Sequence, residues 1–179
     1  MPLYYFETIT AAQAASFNAL TTDTLIFGNA AETATTTTVL FNAATASASA
    51  TVTIISGLTG TSGLTGKSVT FPAAISGTSR AVIYTDGSEL YIGSSASGDT
   101  ISRAAGGPAA IYGGDGADIL TGSSSADFLQ GNIGSDTLRG GAGADTLYGG
   151  KDNDDIDAGT GANVAQGNLG DDTVTATSG

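Results

Sequence analysis

Residues 113–175 read, in blocks of nine, GGDGADILT, GSSSADFLQ, GNIGSDTLR, GGAGADTLY, GGKDNDDID, AGTGANVAQ and GNLGDDTVT, with nothing inserted between blocks. The sixth place is Asp118, Asp127, Asp136, Asp145, Asp154, Asn163 and Asp172, and the eighth is Leu120, Leu129, Leu138, Leu147, Ile156, Ala165 and Val174. An Asp- and Gly-rich run in bulk reads as a disordered linker. A frame held through seven units argues for an ordered repeat instead. These residues carry 11 Asp, no Glu, and only Arg139 and Lys151 as bases. A generic acidic surface would use both acids, so the shorter one points to a tight loop needing a fixed reach. Each unit predicts a six-residue turn and a three-residue strand, with place 8 turned inward and places 7 and 9 outward.

The units resemble the RTX (haemolysin-type) calcium-binding nonapeptide G-G-x-G-x-D-x-U-x. Units 113–121 and 140–148 match it fully, and the sixth, with Ala158, Asn163 and Ala165, departs most. The resemblance implies a parallel β-roll in which two units make one coil. Asp118, Asp136, Asp154 and Asp172 then stack on one edge, and Asp127, Asp145 and Asn163 on the other. Coils ~4.8 Å apart place carboxylates where each pair repels by roughly 3 kcal/mol at an effective dielectric near 20. Ca²⁺ between successive loops reverses that sign, because it takes six to eight oxygens from carboxylates and carbonyls. With a core one small side chain deep, metal binding supplies much of the folding free energy.

The resemblance also implies the ligands. The upper loop gives carbonyls at places 2 and 4 and its Asp, and the loop one coil later gives carbonyls at places 1 and 3 and its Asp. The first edge then has three sets: Gly114, Gly116, Asp118 with Gly131, Ile133, Asp136; Asn132, Gly134, Asp136 with Gly149, Lys151, Asp154; and Gly150, Asp152, Asp154 with Gly167, Leu169, Asp172. The second edge has Ser123, Ser125, Asp127 with Gly140, Ala142, Asp145. A fifth set, Gly141, Gly143, Asp145 with Ala158, Thr160, Asn163, lacks one carboxylate and is expected to be weaker or empty. Four to five Ca²⁺ follow. Asp136, Asp145 and Asp154 serve two sites each, and Asp118, Asp127 and Asp172 one. An EF-hand at 152–157 is rejected for want of its Gly and its Glu. Glycines at every third place in 57–66, without Pro, do not make collagen.

The whole chain of 179 residues has no Cys, no His and a formal charge of -12. Disulfides, thiolate sites and histidine-based catalysis are excluded, and nucleic acid is an unsuitable partner. No apolar run reaches the ~20 residues of a membrane span, and the first residues lack a cleavable secretory signal.

The expected fold is all-β: a β-rich module over 1–93 with one short helix, a transition or cap over 94–112, and the roll over 113–179. Thr10 to Gln13 is a capping box before a helix at about 11–20. Strands are expected at 24–27, 37–41, 51–55, 68–71, 80–84 and 89–92, with 43–50 as a loop or flat edge and Asp86-Gly87 as a hairpin turn. Asp99 lies one residue out of the repeat frame. Helix 9–20 and the stretch 84–93 are similar to the amino-terminal domain of secreted calcium-binding proteins of alphaproteobacteria. The outward Tyr112, Ile119 and Phe128 are expected to be covered by the front module or a neighbour.

The functional expectation is an extracellular, non-catalytic structural protein that self-associates into a surface layer, fibre or matrix at the bacterial surface, with cell-surface polysaccharide as a further partner. The alternative is the non-catalytic front part of a larger adhesin or enzyme exported by type I secretion. Gly179 follows the last unit by four residues, where that route uses a longer terminal signal.

Overall fold

The computed structural model describes residues 3–5, 10–16, 24–27, 37–42, 51–55, 68–72, 82–84, 88–93, 97–103 and 106–177. Helix α1 (Ala11–Ser16) begins at the foreseen capping box. The Thr10 N–H donates to Gln13 Oε1 at 2.9 Å and the Gln13 N–H to Thr10 Oγ1 at 3.3 Å. Strand β1 (Leu3–Tyr5), which sequence reading missed, pairs in parallel with β2 (Thr24–Phe27). Strands β3 (Thr38–Asn42), β4 (Thr51–Ile55) and β5 (Ser68–Pro72) form an antiparallel sheet. Strands β6 (Val82–Tyr84) and β7 (Glu89–Ile92) pair antiparallel, as a hairpin requires. The Asp86-Gly87 turn, the 43–50 and 57–66 segments and the helix beyond residue 16 lie outside the described residues.

The remaining strands are β8 (Thr100–Ser102), β9 (Ala109–Asp115), β10 (Ile119–Thr121), β11 (Phe128–Ile133), β12 (Thr137–Arg139), β13 (Thr146–Lys151), β14 (Asp155–Asp157), β15 (Val164–Leu169) and β16 (Thr173–Thr175). They alternate between two sheets that run parallel through the roll: β9-β11-β13-β15, continued through β7, β6 and β2 to β1 as one eight-stranded sheet, and the five-stranded β8-β10-β12-β14-β16. Leu129 pairs with Leu147, and Leu138 with Ile156, so each coil returns after two units. Residues 94–112, read as a transition, supply β8 and most of β9, and the sheets of the roll therefore extend upstream of Gly113.

Place 8 builds the interior. Leu120, Leu129, Leu138, Leu147 and Ile156 are fully buried, joined by Ile101 and Ile111, with Tyr91 and Ala165 packed against them. Each rung is two side chains wide, because neighbours along a strand face away from each other. At the head of the roll, Arg103 pairs with Glu89 at 2.9 Å and lies over the Tyr91 ring, whose hydroxyl donates to Glu89 Oε2 at 2.6 Å.

The front module meets the outer face of the larger sheet. The Tyr112 hydroxyl donates to the Thr37 carbonyl at 2.9 Å, and that of Tyr84 to Thr37 Oγ1 at 2.8 Å. Leu90, Ile92, Ala110 and Tyr112 on that face are buried, as are Val39 and Ile54 of the three-stranded sheet. The expectation that all three outward apolar residues would be covered needs correcting. Ile119 is 43% exposed, because β10 belongs to the other sheet. Phe128 is half-buried, its ring centre 5.4 Å from that of Tyr112 and 5.8 Å from that of Tyr148.

Candidate metal centre

The turns that carry the Asp residues owe their shape to two places in each unit. Places 2 and 4 adopt left-handed backbone at Gly114, Gly116, Gly150 and Gly134, and also at Asn132, Asp152 and Asn168, whose φ values are 88°, 73° and 79°. Asn and Asp are the non-glycine residues that tolerate this region best. Place 1 needs glycine for space: a Cβ on Gly131 would collide with Asp136 Oδ2. The ends of the strands run into the turns in register, with Gly114, Asn132, Gly150 and Asn168 in one row and Asp115, Ile133, Lys151 and Leu169 in the next.

This stacking brings the place-6 carboxylates into two columns, as the repeat implied. One oxygen of each is held by the coil before it. Asp136 Oδ1 accepts the Asp118 N–H at 2.8 Å, Asp154 Oδ1 that of Asp136 at 2.9 Å, and Asp172 Oδ1 that of Asp154 at 3.0 Å. On the second edge Asp145 Oδ1 accepts the Asp127 N–H at 2.9 Å, and Asn163 Oδ1 that of Asp145 at 2.8 Å. The other oxygen is left open: Oδ2 of Asp118, Asp136, Asp145 and Asp154 is buried with no donor.

A buried carboxylate oxygen without a donor carries an uncompensated desolvation cost. Four at the same place of the repeat, three of them in one column, fit a repeated hard cation. Among the described residues no three acidic side chains converge on one point, so carbonyls must complete each ligand set. The backbone supplies them. The Ile133 carbonyl, bonded at 2.8 Å by the Gly116 N–H, and that of Lys151, bonded at 3.2 Å by Gly134, lie between successive coils. The carbonyls of Gly131, Gly149 and Gly167 face the place-1 glycine of the coil before. Gly114, Gly116, Asn132, Gly134, Gly150, Asp152 and Leu169 stand in the same turns.

The second edge is built differently. Ser123 and Ser125 replace glycine at places 2 and 4, and neither takes the left-handed backbone of its counterparts. The Ser123 N–H and hydroxyl both donate to Asp127 Oδ2, at 2.5 and 3.0 Å. The Ser123 carbonyl accepts the Ala142 N–H at 3.1 Å, that of Gly141 the Thr160 N–H at 2.9 Å, and that of Thr160 the Gly143 N–H at 3.0 Å. At the foot of this column Asn163 Nδ2 donates to the Ala158 carbonyl at 2.7 Å, taking up an oxygen assigned to the fifth set. Asp145 Oδ2, beside Gly140, is the buried carboxylate oxygen left open on this edge among the described residues. Asn163→Asp replaces the donor by an anion facing that carbonyl. The variant should bind about one more Ca²⁺ per chain and be less stable in chelator; an unchanged count by equilibrium dialysis would contradict this assignment.

Electrostatics agree with the geometry. Burial first, then neighbouring carboxylates, push Asp118 up from 3.8 to about 6 and Asp136 to about 7, against the backbone N–H bond that pulls each down. Asp145 and Asp154 rise for the same reasons. In the metal-free roll the folded state therefore holds more protons than the unfolded chain between about pH 4 and 7. This contribution to stability is fully present below the unfolded value and is lost as pH rises through the folded values. Protons and cation compete for the same oxygens. In chelator, β structure should grow as pH falls from 8 to 5, while the Ca²⁺ concentration needed for half-saturation should rise. A chelated roll indifferent to pH over that range would contradict the buried-carboxylate reading.

Residues 112–147, 130–165 and 148–179 each match the family model of the RTX calcium-binding nonapeptide repeat (4 copies). The carboxy-terminal part of the chain thus carries RTX calcium-binding repeats on a parallel β-roll, and these repeats bind Ca²⁺. No curated protein and no solved structure matches the chain. RTX rolls are structural, generally non-catalytic, and typical of secreted proteins. Among the described residues no helix is long and apolar enough to cross a membrane.

Proposed function

We propose that the chain is an extracellular structural protein whose roll orders on Ca²⁺ and which then self-associates into a layer, fibre or matrix at the bacterial surface. Four sites are assigned to the gaps Asp118–Asp136, Asp136–Asp154, Asp154–Asp172 and Asp127–Asp145, with the fifth set closed by Asn163. Bound Ca²⁺ supplies positive charge and oxygen coordination at the open carboxylates. The chain's own residues do the rest: the N–H of each place-6 residue orients the next carboxylate, the place-1 glycines leave it room, and the leucine rungs align the turns.

The observation that carries self-association is the last coil. Strands β15 and β16 are the outermost of their sheets, and Val164, Leu169 and Val174 there are 50, 66 and 47% exposed. Unpaired strand edges with apolar side chains recruit further chains. The formal charge of -12 opposes close approach, and four Ca²⁺ reduce it to about -4. Light scattering in millimolar Ca²⁺ should find species heavier than 17.4 kDa that dissolve on chelation. A monomer at every reachable concentration would contradict self-association. The alternative reading, the non-catalytic front part of a larger type I-secreted adhesin or enzyme, is favoured by the same open coil, which further repeats of a longer chain would cover equally well.

A further inference from the structure

The first-edge column has a member outside the nonapeptide frame. Asp99-Thr100-Ile101 repeats the D-x-U spacing of Asp118-Ile119-Leu120, but Gly93 stands six residues before Asp99, whereas Gly113 stands five before Asp118. That extra residue hides Asp99 from a nine-residue reading. In the structure Asp99 stands at the top of the column. The Asp99 N–H donates to Asp118 Oδ1 at 2.7 Å, and the Asp99 carbonyl accepts the Ile119 N–H at 2.7 Å, as the Asp118 carbonyl accepts that of Thr137. A Cβ on Gly93 would meet the Gly113 carbonyl and, at 2.9 Å, Asp99 Oδ2. Gly113 itself stands in the same relation to Gly131 and Asp118. The Ser97 carbonyl lies against Gly116.

The open oxygens follow a rule that includes Asp99. Asp136, Asp145 and Asp154 each have a carboxylate one coil earlier, and each leaves Oδ2 without a donor. Asp127 has Ala109 one coil earlier, and its Oδ2 is satisfied by Ser123. Asp118 has Asp99 one coil earlier, is 1% exposed, and leaves its Oδ2 without a donor. Its Oδ1 accepts the Asp99 N–H, as the Oδ1 of each later column member accepts the N–H of the Asp one coil before.

We propose a further Ca²⁺ site between Asp99 and the first nonapeptide, held by the carboxylates of Asp99 and Asp118 with carbonyls of Ser97 and Gly113. It rests on the reading that the column carboxylates bind Ca²⁺. It makes Asp118 a ligand of two sites, and it places a calcium site where the roll joins the front module.

Equilibrium dialysis of Ca²⁺ against the full chain tests it. Asp99→Asn removes the charge but keeps the backbone N–H that orders Asp118, so this variant should bind one ion fewer than the unsubstituted chain. Asp118→Asn should lose two ions, against one for Asp172→Asn, and this comparison holds even if the first variant folds poorly. Equal counts for Asp99→Asn and the unsubstituted chain, or equal losses for Asp118→Asn and Asp172→Asn, would overturn the site while leaving the other gaps standing. A chain that binds no Ca²⁺ at all would overturn the column reading itself.

Discussion

Chelation of Ca²⁺ should convert residues 113–175 from β structure to a coil-like circular dichroism spectrum, and ~1 mM Ca²⁺ should restore the β signal. The expectation follows from comparing magnitudes. A rung of the interior is two leucine-sized side chains, each contributing about 1.5–3 kcal/mol on burial. The six residues that close each turn cost roughly 1–2 kcal/mol apiece in backbone entropy. Against that balance the metal-free roll must also hold four buried carboxylate oxygens without donors. Neither the rungs nor the ladder bonds outweigh this, so a cation has to supply the difference. A spectrum unchanged in chelator would mean that the leucine rungs suffice.

Asp136→Ala should be more damaging than substitution of a column member that borders one gap. Its carboxylate borders two gaps, and its Oδ1 also anchors the Asp118 N–H. The variant should bind about two Ca²⁺ fewer and lose a hydrogen bond worth roughly 1 kcal/mol. Asp136→Asn keeps an oxygen for that bond and isolates the loss of charge. Asp172, half-buried in the last coil, borders one gap, and Asp172→Ala should cost about one ion. Equal damage from Asp136→Ala and Asp172→Ala would rule out shared ligands.

The regular part of this architecture is legible because the repeat is self-enforcing. A period of nine puts Leu120, Leu129, Leu138 and Leu147 on one inward place, and two units per coil follow from the family pattern. The register of Leu129 with Leu147 agrees with it. The capping box at Thr10 and Gln13 is legible because its bonds are local. What escaped reading depends on irregularity or on distant pairing. Asp99 lies one residue off the nine-residue frame, so a reading by that frame leaves Asp99 and Ile101 outside the roll. The parallel pairing of β1 with β2 has no local signature. Ser123 carries a signal visible in retrospect: a non-glycine residue at place 2, other than Asn or Asp, does not favour left-handed backbone, and its N–H turns to Asp127 instead. The exposure of Ile119 could not be foreseen, because which sheet meets the front module is decided by the pairing of β7 with β9.

The central claim is that cation-held carboxylates order the coils. The backbone amides of Asp118, Asp136 and Asp154, each bonded to the carboxylate one coil on, report on it directly. Residue-resolved hydrogen exchange should find them strongly protected in millimolar Ca²⁺ and exchanging at near-unfolded rates in chelator. Equal protection of these three amides in both conditions would contradict it.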